Sequence, residues 1–143
     1  MSIQDLVDDF EFLDEWEDRY RYVIELGKEL EPLTDAEHSR ENKVEGCVSQ
    51  VWLVSELRRK ADGAPLLHFR GDSDAHIVRG LIAILMRLYS DKTPEEILGV
   101  DARAVFAALG LNEHLTPQRS NGLYSMVARV QSDARAAAAA TSA

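Results

Sequence analysis

The apolar residues of this chain change period twice, and that pattern admits few architectures. Near the start, Ile3, Leu6, Val7 and Phe10, then Leu13, Trp16, Tyr20, Val23 and Ile24, recur at three- and four-residue steps, which predicts two amphipathic helices. Val44 and the run from Gln50 to Ser55 are instead rich in β-branched and aromatic types, as strands are. Helical spacing returns with Ile77, Val78, Leu81, Ile82, Leu85 and Leu88, a stripe broad enough for a central helix. Helices on either side of a short strand region predict an α+β domain, with a small three-stranded antiparallel sheet and helices packed mainly on one face.

Local signals set the expected boundaries. Asp14 with Glu17 reads as a capping box, and Gly27 as the residue that ends the second helix,. A turn-rich loop runs from Leu30 through Pro32 to about Asn42. Asp62-Gly63 supplies a hairpin turn, with Ala64 to Arg70 as the returning strand,. Asp72 or Ser73 is the expected cap of the central helix. Gly80 within that helix costs about 1 kcal/mol relative to alanine, so another element should pass close by. Thr93-Pro94-Glu95-Glu96 starts a short helix, Asp101 a second that Gly110 ends, and Thr116-Pro117 the last helix, which buries Leu123, Met126, Val127 and Val130,. The run Ala136 to Ala140 has helix propensity but nothing apolar of size to pack with, so the tail from about residue 134 is expected to fray,.

A length of 143 residues, with 45% hydrophobic and 29% charged residues, fits a single globular domain over 1–143,. A net charge of -9 repels phosphate backbones and argues against nucleic-acid partners,. The start has no basic and apolar leader pattern, and no stretch reaches the length of a membrane span,. The expectation is a soluble, cytoplasmic protein.

Chemistry concentrates on Cys47, the chain's single cysteine. It has no internal partner for a disulfide, so it is either a buried structural thiol or a reactive one. Gly46 before it and Ser49 and Gln50 after it favour a loop and a reactive role. Lys43 lowers the thiol pKa and Glu45 raises it, so the local sequence supplies no strong self-activation. His38, His68, His76 and His114 lie in four separate segments with no metal-site spacing,. His68 is the one histidine on a neighbouring strand, and a Cys/His hydrolase would need it beside Cys47. A plain interaction module with a core cysteine is the third reading. Asp72 and Asp74 read as a helix cap and a first-turn carboxylate rather than a metal pair. Arg119 opposes the dipole of the last helix from its first turn, which marks it for an acidic group or a partner.

The stretch Lys43-Val44-Glu45-Gly46-Cys47-Val48-Ser49-Gln50-Val51-Trp52 resembles the signature of the SufE family of sulfur acceptors. Ile24 to Lys28, Gly71 to Ala75, Arg79 to Ala83 and His114 to Gly122 are similar to the same family, in the same order and over nearly the whole chain. The resemblance implies a fold like that of the IscU scaffold. It implies a partner, a cysteine desulfurase of the SufS or CsdA type that carries its own pyridoxal phosphate, and delivery to an iron–sulfur scaffold of the SufBCD type. Cys47 matches the acceptor cysteine, in a loop of Gly46, Val48, Ser49 and Gln50. Val48 departs from the glutamine frequent there. At rest the thiol is expected to turn inward, with Ser49 and Gln50 holding the loop by side-chain hydrogen bonds. Asp74 and Arg119 are the expected partner-facing residues.

Overall fold

The structure, a computed structural model, describes residues 3–47 and 49–141. The N-terminal periodicity yields α1 (Ile3–Glu11) and α2 (Trp16–Gly27). A hairpin follows, β1 (Val51–Arg59) and β2 (Pro65–Ser73), then α3 (His76–Tyr89), the short α4 (Pro94–Leu98), α5 (Ala102–Ala108) and α6 (Leu111–His114), and the long α7 (Pro117–Thr141).

Strands β1 and β2 pair antiparallel, with Val51 opposite Ser73 and Leu57 opposite Leu67. That register places Val51, Leu53, Leu67, Phe69 and Gly71 on one face, and these residues are buried. Helix α3 lies under that face: a Cβ added to Gly71 would stand 2.8 Å from Ile82 Cγ2. The other face carries polar side chains, covered by the loop after α2. Arg70 pairs there with Glu37 and with Glu56, and His38 Nε2 lies 2.8 Å from Asp72 Oδ2 while its ring meets Trp52 edge-on.

The expected third strand is absent: among the described residues the sheet has two strands. What remains of it is a single bridge between Lys43 and Trp52, with Val44 N donating to Val51 O at 2.8 Å and Leu53 N to Asn42 O at 2.8 Å. Extension stops there because turns surround it, at Glu41-Asn42 before and Glu45-Gly46 after, where Gly46 takes φ +87°, a conformation that glycine tolerates without a steric penalty.

Helix α3 is the centre of the core. Leu81, Ile82, Ile84, Leu85 and Tyr89 are fully buried between α2, the hairpin and α7. The close approach foreseen at Gly80 is made by α2: a Cβ on Gly80 would fall 2.0 Å from the Val23 carbonyl oxygen, and one on Gly27 2.7 Å from Gly80 N. Gly27 of α2 and Gly80 of α3 thus meet at the crossing, with Val23 against Gly80.

Several caps form as expected. Thr93 and Glu96 make a reciprocal capping box with Pro94 at the first helical position, Asp101 accepts from Ala104 N, and Thr116 Oγ1 accepts from Arg119 N. Two do not. Helix α2 begins after Glu15 with no side-chain cap, and the preceding turn is tied by Arg19, which donates to the carbonyls of Leu13 and Phe10. Helix α3 begins after Ala75, also without one: Asp72 is held by His38 and by Arg79 Nε at 3.2 Å, and Ser73 is the last residue of β2. Helix α7 includes the alanine run and extends to Thr141. Ala134 is fully buried and Ala137 packs against the core, so small side chains let α7 lie close to its neighbours. None of the described helices is long and apolar enough to cross a membrane.

Candidate functional site

Cys47 sits in the loop that the Val44–Val51 hydrogen bond closes at its base. Gly46 turns the chain at positive φ, and a Cβ there would also meet Ser125 Oγ at 2.7 Å, so the position needs glycine for both conformation and fit,. The far side of the loop is pinned by Asp74, whose Oδ1 accepts from Gln50 N at 3.1 Å while its own N–H points to Gln50 O at 3.4 Å. The backbone of Gln50 thus does the holding expected of side chains. Neither the Ser49 nor the Gln50 side chain has a hydrogen bond among the described residues. Val48 lies outside the described residues.

The thiol points inward. Cys47 is half-buried, and its Sγ donates toward the Gly122 carbonyl at 3.6 Å. Gly122 is a buried residue of α7, and a Cβ there would stand 3.4 Å from Sγ. A glycine inside a helix signals close approach here as at Gly80, so Gly122 was open to the same reading. Cys47 and Ser49 open onto a cavity of about 370 Å³ with apolar walls from Val51, Val78, Leu81 and Met126. Thr116, Gln118 and Arg119 complete the lining. Burial, and then the charge of Glu45, push the thiol pKa up from its ordinary value, so the neutral S–H is the resting form. The alkylation rate of Cys47 by iodoacetamide is therefore expected to rise with pH through a midpoint above the ordinary 9.0. A midpoint below that value would mean that the cavity activates the thiol rather than silencing it.

Asp74 is exposed and committed to the loop backbone. Arg119 is partly buried at the cavity wall, and its guanidinium has no ion pair or hydrogen bond among the described residues.

No histidine lines the cavity of Cys47. His68, the candidate base, is on the hairpin's polar face, with Nδ1 2.8 Å from Asp91 Oδ1 and Nε2 3.0 Å from Glu31 Oε1. It lines a different cavity, with Arg70, Arg87 and Glu29 nearby. Carboxylates only accept, so both ring nitrogens must donate and the imidazolium is favoured. Burial alone lowers the His68 pKa, but the hydrogen bonds His68 donates to Asp91 and Glu31 outweigh it and the net shift is upward. A folded pKa above the unfolded one gives stability that is full below about pH 6.5 and lost as pH rises through the folded value. The gap in thermal midpoint between the native chain and His68→Gln is thus expected to be widest near pH 6 and to shrink by pH 9. A gap that stays constant with pH would remove the charged form from the account. Among the described residues no group of three or more His, Cys, Asp or Glu side chains is placed to hold a metal ion.

Residues 4–134 match the family model described as "SufE: Fe-S metabolism associated domain". An uncharacterized SufE-like protein of Rhizobium meliloti (strain 1021) is 55% identical over 133 residues, 93% of this chain and 94% of that protein. Another, from Rhizobium etli, is 54% identical over 139 residues, 97% of this chain and 93% of the relative. The solution structure of a hypothetical protein from Thermus thermophilus superposes with a TM-score of 0.75 over 97% of this chain and 99% of that one; at 20% identity it shows a shared fold alone. With its thiol loop inside the matched region and the match covering nearly the whole chain, this protein belongs to the SufE family of Fe–S metabolism.

Proposed function

We propose that this protein is a sulfur acceptor and carrier in Fe–S metabolism rather than an enzyme in its own right. Cys47 takes the terminal sulfur of a persulfide on a cysteine desulfurase of the SufS or CsdA type and passes it to an iron–sulfur scaffold of the SufBCD type. The observation that carries the reading is a single half-buried thiol facing an apolar cavity of about 370 Å³ that no histidine enters. A hydrolase needs a base beside its nucleophile, and His68 is committed to Glu31 and Asp91 elsewhere. A carrier instead needs a thiol kept from water and oxidants until its donor arrives.

The transfer is an exchange at sulfur. The Cys47 thiolate attacks the donor's terminal sulfur, a new S–S bond forms on Cys47, the donor's S–S bond breaks and the donor cysteine leaves as a thiolate. The proton that left Cys47 compensates that thiolate through solvent, and nothing is oxidised or reduced overall. Removing sulfur from the donor frees it for another turnover, which stimulates the desulfurase. Pyridoxal phosphate serves the donor's chemistry and stays with the donor. Because the resting thiol is neutral and inward, docking must turn the loop outward, with Gly46 and the Asp74–Gln50 contact as its two ends. Asp74 and Arg119 flank that movement and face the partner.

Incubation with a cysteine desulfurase and L-cysteine is expected to add the mass of one sulfur atom to the peptide containing Cys47, reversibly under reductant. A desulfurase that becomes persulfidated while that peptide keeps its mass would refute the reading.

A further inference from the structure

We propose that the corner between α1 and α2 docks a basic face of the sulfur-donating protein, an inference that rests on the reading of Cys47 as acceptor. Phe12 is 85% exposed, more than any other large apolar side chain among the described residues. Its exposure is not that of a loose segment. Arg19 reaches back from α2, donating from Nε to the Leu13 carbonyl at 2.7 Å and from Nη2 to the Phe10 carbonyl at 2.9 Å. Its guanidinium lies 5.5 Å from the centre of the Phe10 ring, which is buried. Backbone bonds from Phe12 N to Asp9 O and from Leu13 N to Phe10 O close the turn. The ring of Phe12 is thus presented on a fixed backbone, the arrangement in which an aromatic anchor binds with little ordering cost. Four residues on, Trp16 and Tyr20 wall a shallow cleft of about 280 Å³ with Glu17 and Arg21.

Charge selects the occupant. Residues 8–18 include seven acidic and no basic residues, and Asp8, Glu11, Asp14, Glu15, Glu17 and Asp18 are exposed. A second copy would bring the same charge against itself, and phosphate-bearing surfaces are repelled, so a protein face with lysine or arginine around an apolar recess fits. Position links the corner to the thiol. Trp16 stacks on His114 with centroids 4.4 Å apart. Two residues later Thr116 lines the cavity of Cys47, and two residues of chain span at most about 7 Å. The start of α2 therefore lies close enough to the cavity for the footprint of one standard-size protein interface to reach both,.

The test is a titration of the full chain with the desulfurase that persulfidates Cys47, followed by calorimetry. Phe12→Ala is expected to weaken binding by about tenfold or more, with an unchanged thermal midpoint because the ring is exposed. Glu11→Lys combined with Asp14→Lys is expected to slow association and flatten its salt dependence. Inorganic polysulfide, a sulfur donor with no protein face, should modify Cys47 equally in all three proteins. If wild-type Cys47 accepts sulfur from the desulfurase and Phe12→Ala binds it as tightly as wild type, the docking corner alone is overturned. It is overturned equally if Phe12→Ala loses affinity for the scaffold and not for the desulfurase. If wild-type Cys47 accepts no sulfur from the desulfurase, the acceptor reading fails first and takes the docking corner with it.

Discussion

A Cys47→Ser protein is expected to accept no sulfur and to leave the desulfurase at its unstimulated rate. Serine fills nearly the same space, and its hydroxyl can donate to the Gly122 carbonyl as the thiol does, so the loop and the cavity should persist and the thermal midpoint should hold. What disappears is the group that reacts: an alcohol gives no appreciable anion at neutral pH and forms no persulfide, whereas a thiol does both once exposed. The measurement is alanine released from cysteine by the desulfurase, with and without each form of this chain. Full stimulation by Cys47→Ser would mean that the protein acts by docking alone, and the acceptor reading would be lost.

Gly80→Ala is expected to cost about 3 kcal/mol or more of folding stability. Helix propensity argues the other way, since alanine in place of glycine inside a helix gains about 1 kcal/mol. The tertiary contact decides the sign. A Cβ at Gly80 falls 2.0 Å from the Val23 oxygen and 2.6 Å from its carbonyl carbon, both backbone atoms. They cannot rotate away, so α2 must shift off α3, and the buried contacts of Val23 and Leu26 shift with it. Overpacking of this kind costs about 1–3 kcal/mol where flexible side chains absorb it and more where they cannot. Urea unfolding of the two proteins measures the difference. A Gly80→Ala chain as stable as the native one would show that the crossing is looser than its geometry.

The signals that could be read along the chain were the short-range ones. The Thr93-Pro94-Glu96 box forms because its partners lie within three residues of each other. The hairpin turn at Asp62-Gly63 forms for the same reason, with Asp62 Oδ1 accepting from Ala64 N. Equally local signals failed where a distant group competed. Asp72 does not cap α3 because His38 and Arg79 hold its carboxylate; the expected Asp14 box does not form either, and the turn before α2 is tied by Arg19 instead. The third strand shrank to one bridge because Gly46 must turn the chain into the thiol loop. The burial of Ala134 was not legible in the alanine run, because it is set by how closely α7 packs on its neighbours.

Residue types, spacing and the two changes of period were enough to give an α+β fold, the central helix, the close crossing at Gly80 and a lone cysteine on a glycine-bearing loop. They did not give the surroundings of that cysteine. The cavity joins Cys47 to Val78 and Leu81 of α3 and to Gly122 and Met126 of α7, residues dozens of positions apart that no periodicity relates to one another. Only packing α3, α7 and the hairpin around one core brings them together, turns the thiol inward against a backbone carbonyl and leaves His68 at another cavity. The reason is physical: a cap or a turn is satisfied by neighbours in sequence, whereas a thiol's burial, pKa and reach are set by whatever the folded chain places beside it.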